Sequence, residues 1–256
     1  MKEFLISTKY IFKQDDANSS QKVNINDVLI HTEGENMTRI WIEEYEVTGD
    51  LGRLFGHFLD MDDSIKTAYL ISPSEGDESV SPSKKILFEF LEHRNDFPLY
   101  LYFSDEYVLR ERHQQFFQQQ DVDYTIQTVY PNRKHHLDPF VYFTVELKNK
   151  EALRRVVRKT YWLGEENVFY VISNYDNLKF TFEERQHWGF QQYLPIASFD
   201  RTPPSVLIKP GHDGCGFFIC SNDRSVNSLE KVIRSMPEEI ITYQVNDELY
   251  EAENEE

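Results

Sequence analysis

The chain is poor in cysteine, short of positive charge and without a long apolar run, and each shortage narrows its class. Its two cysteines are Cys215 and Cys220. Two thiols cannot build the disulfide framework of a small secreted scaffold, so a reducing cytoplasm is the expected setting. No stretch approaches the ~18 uninterrupted apolar residues that a membrane-crossing helix needs. The first residues, MKEFLISTKYIFKQDD, lack the apolar core and small-residue cleavage site of a secretory leader. Lys and Arg total 27 against 44 Asp and Glu, a formal net charge of −17. Such a surface repels nucleic-acid backbones and anionic membranes and draws in basic partners. Nucleic acid is therefore an unfavoured ligand, and no membrane contact is expected. The catalytic signatures are missing too: there is no Walker lysine loop, no G-x-S-x-G elbow and no H-E-x-x-H pair. No cofactor is expected.

What the chain has in abundance is aromatic side chains, 19 Phe and 15 Tyr in 256 residues. Disordered chains are poor in them, so a packed core follows. Period-2 alternation marks RIWIEEYEV at 39–47 and DYTIQTVY at 123–130 as half-buried strands. PLYLYFS at 98–104 is apolar almost throughout, which places it centrally in a sheet. Further strands are expected at 4–12, 28–31, 66–72, 205–210 and 240–245. Helical spacing predicts helices over 50–60, 82–94, 105–120 and 223–236. Residues 73–83 carry Pro, Gly, Ser and acids and read as a flexible loop. The clearest unit is 140–174: strand FVYFTVEL, helix KNKEALRRVVRKTYWLG, strand EENVFYVISN. Antiparallel hairpins are expected at 205–220 and at 168–182.

These elements predict an α+β fold, with mixed sheets and helices packed on them. They divide into an N-terminal half over 1–134, a C-terminal half over 135–246 and an acidic tail over 247–256. The two halves can also pack as one domain. Strand 39–47, helix 50–60, strand 66–72, helix 82–94 and strand 98–104 match the order 140–147, 149–162, 167–173, 223–236 and 240–245. A pseudo-repeat with about fifty residues inserted at 174–222 is thus one expectation.

Three clusters are candidate sites. His212, Cys215 and Cys220 lie within nine residues, and imidazole and thiolate ligate zinc or support thiol chemistry. Their spacing fits no usual knuckle, and the glycines of GHDGCG suit a tight turn between strands. Glu183, Glu184, Arg185, His187 and Trp188 combine groups for acid–base work with a Trp and Arg suited to a protein contact. Neighbours on a strand point to opposite faces, so an exposed turn after KFTF is the plainer reading. Arg154, Arg155 and Arg158 crowd the helix of the 140–174 unit, with the acidic tail as a candidate internal partner. Function follows from charge: an acidic protein that binds and neutralises a basic protein partner, of immunity, antitoxin or phage anti-defence type. An enzyme built on His212 and Cys215 or on Glu183–His187, and a structural or regulatory scaffold, are the alternatives.

Overall fold

Side chains alternate strictly between two buried faces along the central strands, and this decides the architecture. The computed structural model describes residues 37–47, 59–60, 65–74, 80–130, 139–176, 178–187, 190–199 and 204–250. In chain order they form β1 (Thr38–Glu46), β2 (Leu59–Asp60), β3 (Thr67–Pro73), α1 (Val80–Arg94), β4 (Leu99–Glu106), α2 (Arg110–Gln119) and β5 (Tyr124–Val129). There follow β6 (Phe140–Leu147), α3 (Lys150–Thr160), α4 (Trp162–Glu165), β7 (Tyr170–Ser173), β8 (Leu178–His187) and β9 (Phe190–Phe199). The described chain ends with β10 (Val206–Pro210), β11 (Phe217–Ser221), α5 (Leu229–Arg234), β12 (Ile240–Val245) and β13 (Glu248–Leu249).

Ten strands make one sheet in the order β13-β12-β1-β3-β11-β10-β7-β4-β6-β5. Every neighbouring pair is antiparallel except β1 and β12, which are parallel. A smaller sheet runs β2-β9-β8. Sheets and helices together make the fold α+β, as the sequence predicts. Residues from Asn36 onward form one compact unit. β5 and β6, on either side of the expected boundary at 134/135, pair with each other.

The core follows from the alternation. Leu101 and Phe103 on β4, Phe143 and Val145 on β6, Tyr170 and Ile172 on β7, and Phe217 and Ile219 on β11 point to one face. There they meet Phe90 of α1, Phe117 of α2, Val156 and Val157 of α3 and Val232 of α5. The residues between them, Tyr102, Tyr142, Val171, Leu207, Phe218 and Cys220, form a second buried cluster on the opposite face. Two-sided burial explains why β4 reads as an unbroken apolar run. Phe103 is the hub: it stacks on Phe143 at 4.8 Å and lies within ring contact of Phe117, Tyr170 and His113. His113 is buried and bonds through Nε2 to Asp105 Oδ2 at 2.5 Å, fastening α2 to the end of β4.

The 140–174 unit forms, in split form. β6 and β7 run parallel with β4 between them. β4 and β5 likewise flank β6, so β4-α2-β5-β6-α3-β7 interleave as one β-α-β-β-α-β block. Asn149 starts α3 by accepting the Ala152 amide at 2.9 Å. The expected sequential repeat has no support in the pairing: β1 and β3 are neighbours, whereas their counterparts β6 and β7 are not.

Other expectations need correcting. The helix over 105–120 starts only at Arg110, because Asp105 and Glu106 still pair with Val141 and Phe140 in the sheet. The helix over 223–236 is confined to α5, because Asp223 turns the chain by accepting the Ser225 amide. No hairpin forms over 168–182, since β7 pairs with β4 and β10 while β8 pairs with β9. Leu59 and Asp60, expected at a helix end, pair as a strand with Ala197 and Ser198. The expected strands at 4–12 and 28–31, and residues 50–58 of that helix, lie outside the described residues.

Phe103→Ala is expected to cost about 3–5 kcal/mol of unfolding free energy, because it empties the centre of an aromatic cluster. Tyr130→Ala, at a position 69% exposed, should stay within about 0.5 kcal/mol of the parent. Urea unfolding of both variants checks this.

Candidate functional site

The glycine-rich segment between β10 and β11 is a hairpin turn anchored on three sides. The Gly211 amide donates to Gly216 O at 3.0 Å and closes the turn. The Gly216 amide donates to Ser83 Oγ of α1 at 2.7 Å. The Tyr161 hydroxyl donates to Gly214 O, and Asn167 exchanges two hydrogen bonds with Asp213. Gly216 has φ +69°, and a Cβ there would sit 2.6 Å from Ile71 O, so glycine is required.

The turn separates the residues that its sequence groups. His212 is exposed, and its Nδ1 faces Asp213 Oδ2 at 3.0 Å. Cys215 stands half-buried in the turn. Cys220 is buried inside β11 opposite Leu207, where burial pushes its thiol far above the ordinary range. A thiol held protonated in this way is a small hydrophobe rather than a ligand or nucleophile. Among the described residues no cluster of three or more His, Cys, Asp or Glu could hold a metal.

Glu183, Glu184 and Arg185 lie inside β8, paired with Leu194, Tyr193 and Gln192, and not in an exposed turn. Among the described residues β8 pairs with β9 alone, so one edge of it is open to polar side chains. Trp188 lies outside the described residues. Arg154, Arg155 and Arg158 all lie on the exposed side of α3. Arg154 makes a two-pronged ion pair with Glu92 of α1. The tail beyond Tyr250 leaves from β13, eight strand spacings from β6, on which α3 packs. Residues 251–256 of the acidic tail, the expected internal partner of this helix, lie outside the described residues.

The surface with the composition of a binding site was not among the sequence candidates. Arg39 and Trp41 on β1 pair with Ile241 and Gln244 on β12, and Gln244 pairs with Leu249 on β13. Paired residues share a face, so these side chains point together, away from Ile40 and Ile42 in the core. The register shifts between Ile40 and Trp41, where β12 carries an extra residue, Tyr243. This bulge lets Arg39 lie over the Tyr243 ring at 5.3 Å. Trp41 is 39% exposed, Ile241 and Tyr243 40% each, and Leu249 69%. The same strands and their flanking turns carry seven acids, Glu43, Glu44, Glu46, Glu238, Glu239, Asp247 and Glu248, with Arg39 the only base in 37–47 or 237–250. Of those on β1, Glu43 shares the outward parity of Trp41, while Glu44 and Glu46 take the other. Trp, Tyr and Arg in an apolar centre with a charged rim is the make-up of a protein-binding hot spot. The one sequence signal for it is parity: Trp41 takes the outward position of an alternating strand.

The face opposite the helices holds a half-buried cation, Lys209. Lys209 shares it with Leu207, Phe218 and Cys220, and among the described residues its Nζ reaches only Pro210 O, at 3.4 Å. Burial holds the ammonium below its ordinary range, because desolvation penalises the charged form. Between that lowered value and the unfolded value of 10.5 the unfolded chain binds more protons, so this group makes stability rise with pH there. The phenols of Tyr142, Tyr161 and Tyr170 act in the opposite sense. Burial raises them above 10.0, so the stability they carry is lost as pH climbs past that value. Lys209→Met is expected to add about 1 kcal/mol at neutral pH and to flatten the rise just below pH ~10.5. Urea unfolding across that range measures both.

Comparison with known proteins finds no matching family model, no matching curated protein and no matching solved structure.

Proposed function

We propose that this is a binding protein that neutralises or inhibits a basic protein partner, in the manner of immunity proteins, antitoxins or phage inhibitors of host defence. The observation that carries the reading is the exposed Arg39–Trp41–Ile241–Tyr243–Leu249 patch on strands and turns that carry seven acids and one base. The aromatic centre supplies desolvated contact area, and the acidic rim steers a positively charged partner into place. The net charge of −17 extends that attraction beyond the rim.

The patch also has the stiffness an inhibitor needs. It lies on paired strands rather than on a loop, so little ordering entropy is lost on association. Asn246 accepts the Glu44 amide at 2.8 Å and so pins the turn after β12 to β1.

A photo-crosslinking residue placed at Tyr243 tests the reading in native lysate. It should capture one basic protein at low salt and lose it as salt rises, since screening weakens rim attraction. Trp41→Ala should weaken capture by about 2 kcal/mol, some thirtyfold. The same protein captured equally from the exposed Gln115 of α2, or capture indifferent to Trp41→Ala, overturns the proposal.

A further inference from the structure

We infer that the outward side of α3 and α4 is a second docking surface, and that it takes an acidic segment of a protein partner. Tyr161 keeps helical dihedrals, φ −59° and ψ −27°, so α4 continues the path of α3. Arg155, Arg158, Lys159 and Trp162 then fall at i, i+3, i+4 and i+7, one stripe along a helix. That spacing is how a helix presents anchors to a partner. The stripe is open: Arg155, Arg158 and Lys159 are exposed and Trp162 is 40% exposed.

Among the described residues, most of the charge on this helix has no ion-pair partner. Lys148 is taken by Asp123 and Arg154 by Glu92. Lys150, Arg155, Arg158 and Lys159 make no ion pair among the described residues. Four cations with no ion pair among the described residues stand out in a chain of net charge −17. Trp beside Arg is the pairing enriched where protein partners contribute most binding energy.

Complementarity fixes the occupant as an acidic protein segment. A nucleic acid would run past the helix, about 16 Å long at 1.5 Å per residue, onto an acidic surface. A compact acidic segment ends where the positive stripe ends. At ~0.15 M salt the screening length is about 8 Å, so the stripe acts on a close partner independently of the distant negative charge. β13, after which the described chain ends, is the strand at one edge of the sheet, and α3 packs on β6 near the other. The acidic–aromatic patch on β1 and β12 lies on the face away from the helices. The chain thus carries two surfaces of opposite sign, suited to two partners of opposite charge.

The test uses the full chain and a fluorescein-labelled poly-glutamate peptide, read by anisotropy at ~0.15 M salt. The parent should bind it. Arg155→Glu with Arg158→Glu should weaken binding about tenfold or more, and Trp162→Ala several-fold. Lys150→Glu with Lys159→Glu provides a second charge reversal should the first perturb folding. Trp41→Ala and deletion of 251–256 should leave affinity unchanged. The inference is overturned if the parent binds no better than either charge reversal. Tighter binding of an oligothymidylate of equal length also overturns it, as does a tenfold gain on deletion of 251–256, which would mean that the tail already covers the face.

Discussion

Burial on both sides of the central strands is the constraint from which the rest of the molecule follows. β4, β6, β7, β10 and β11 each send successive side chains into two separate apolar clusters. A strand in that position cannot sit at a sheet edge, so the sheet must extend on either side. The helices crowd one face, and Phe103 joins β4, β6, β7 and α2 into a single packed body. The strands least covered, β1, β12 and β13, are then free to carry exposed aromatic residues without exposing the core. The proposed binding patch is a by-product of where the two-sided burial stops.

Charge is arranged by the same geometry. Acids crowd the turns around β12 and β13, while α3, whose inner side packs against β6, carries several cations with no ion pair among the described residues. Pairs such as Arg154 with Glu92 and Lys148 with Asp123 are exposed and contribute little to stability. Their effect is selective: they remove some cations from the basic stripe and leave others to act outward.

Much of the fold was legible in the sequence, for a local reason. Alternation in RIWIEEYEV and the apolar run in PLYLYFS depend on neighbours a few residues away, and both became strands where expected. Helical spacing located α1 and α3 for the same reason. Strand order was not legible, because β4 settles between β6 and β7 only through pairings that neighbouring residues do not announce. The polar residues Glu183–Arg185 concealed a strand, since their pairing with β9 outweighs their composition. The binding patch was hidden most deeply. Glu44 and Asn246, which bond across it, are 202 residues apart, and no local pattern links Trp41 to Tyr243. The His212–Cys215–Cys220 grouping misled in the opposite direction: nearness along the chain ended in one exposed imidazole, one half-buried thiol and one core thiol.

The parallel pairing of β1 with β12 has a consequence for how the molecule comes into being. An early strand that must await one of the last can close no ladder on that side during synthesis. Until residues 240–245 emerge, Trp41 has no neighbouring Tyr243 and Arg39 no ring to cover. Until then the proposed surface is incomplete, whatever else has folded. It forms in one step when β12 pairs with β1, so its presence reports that β12 has been made and has joined the sheet.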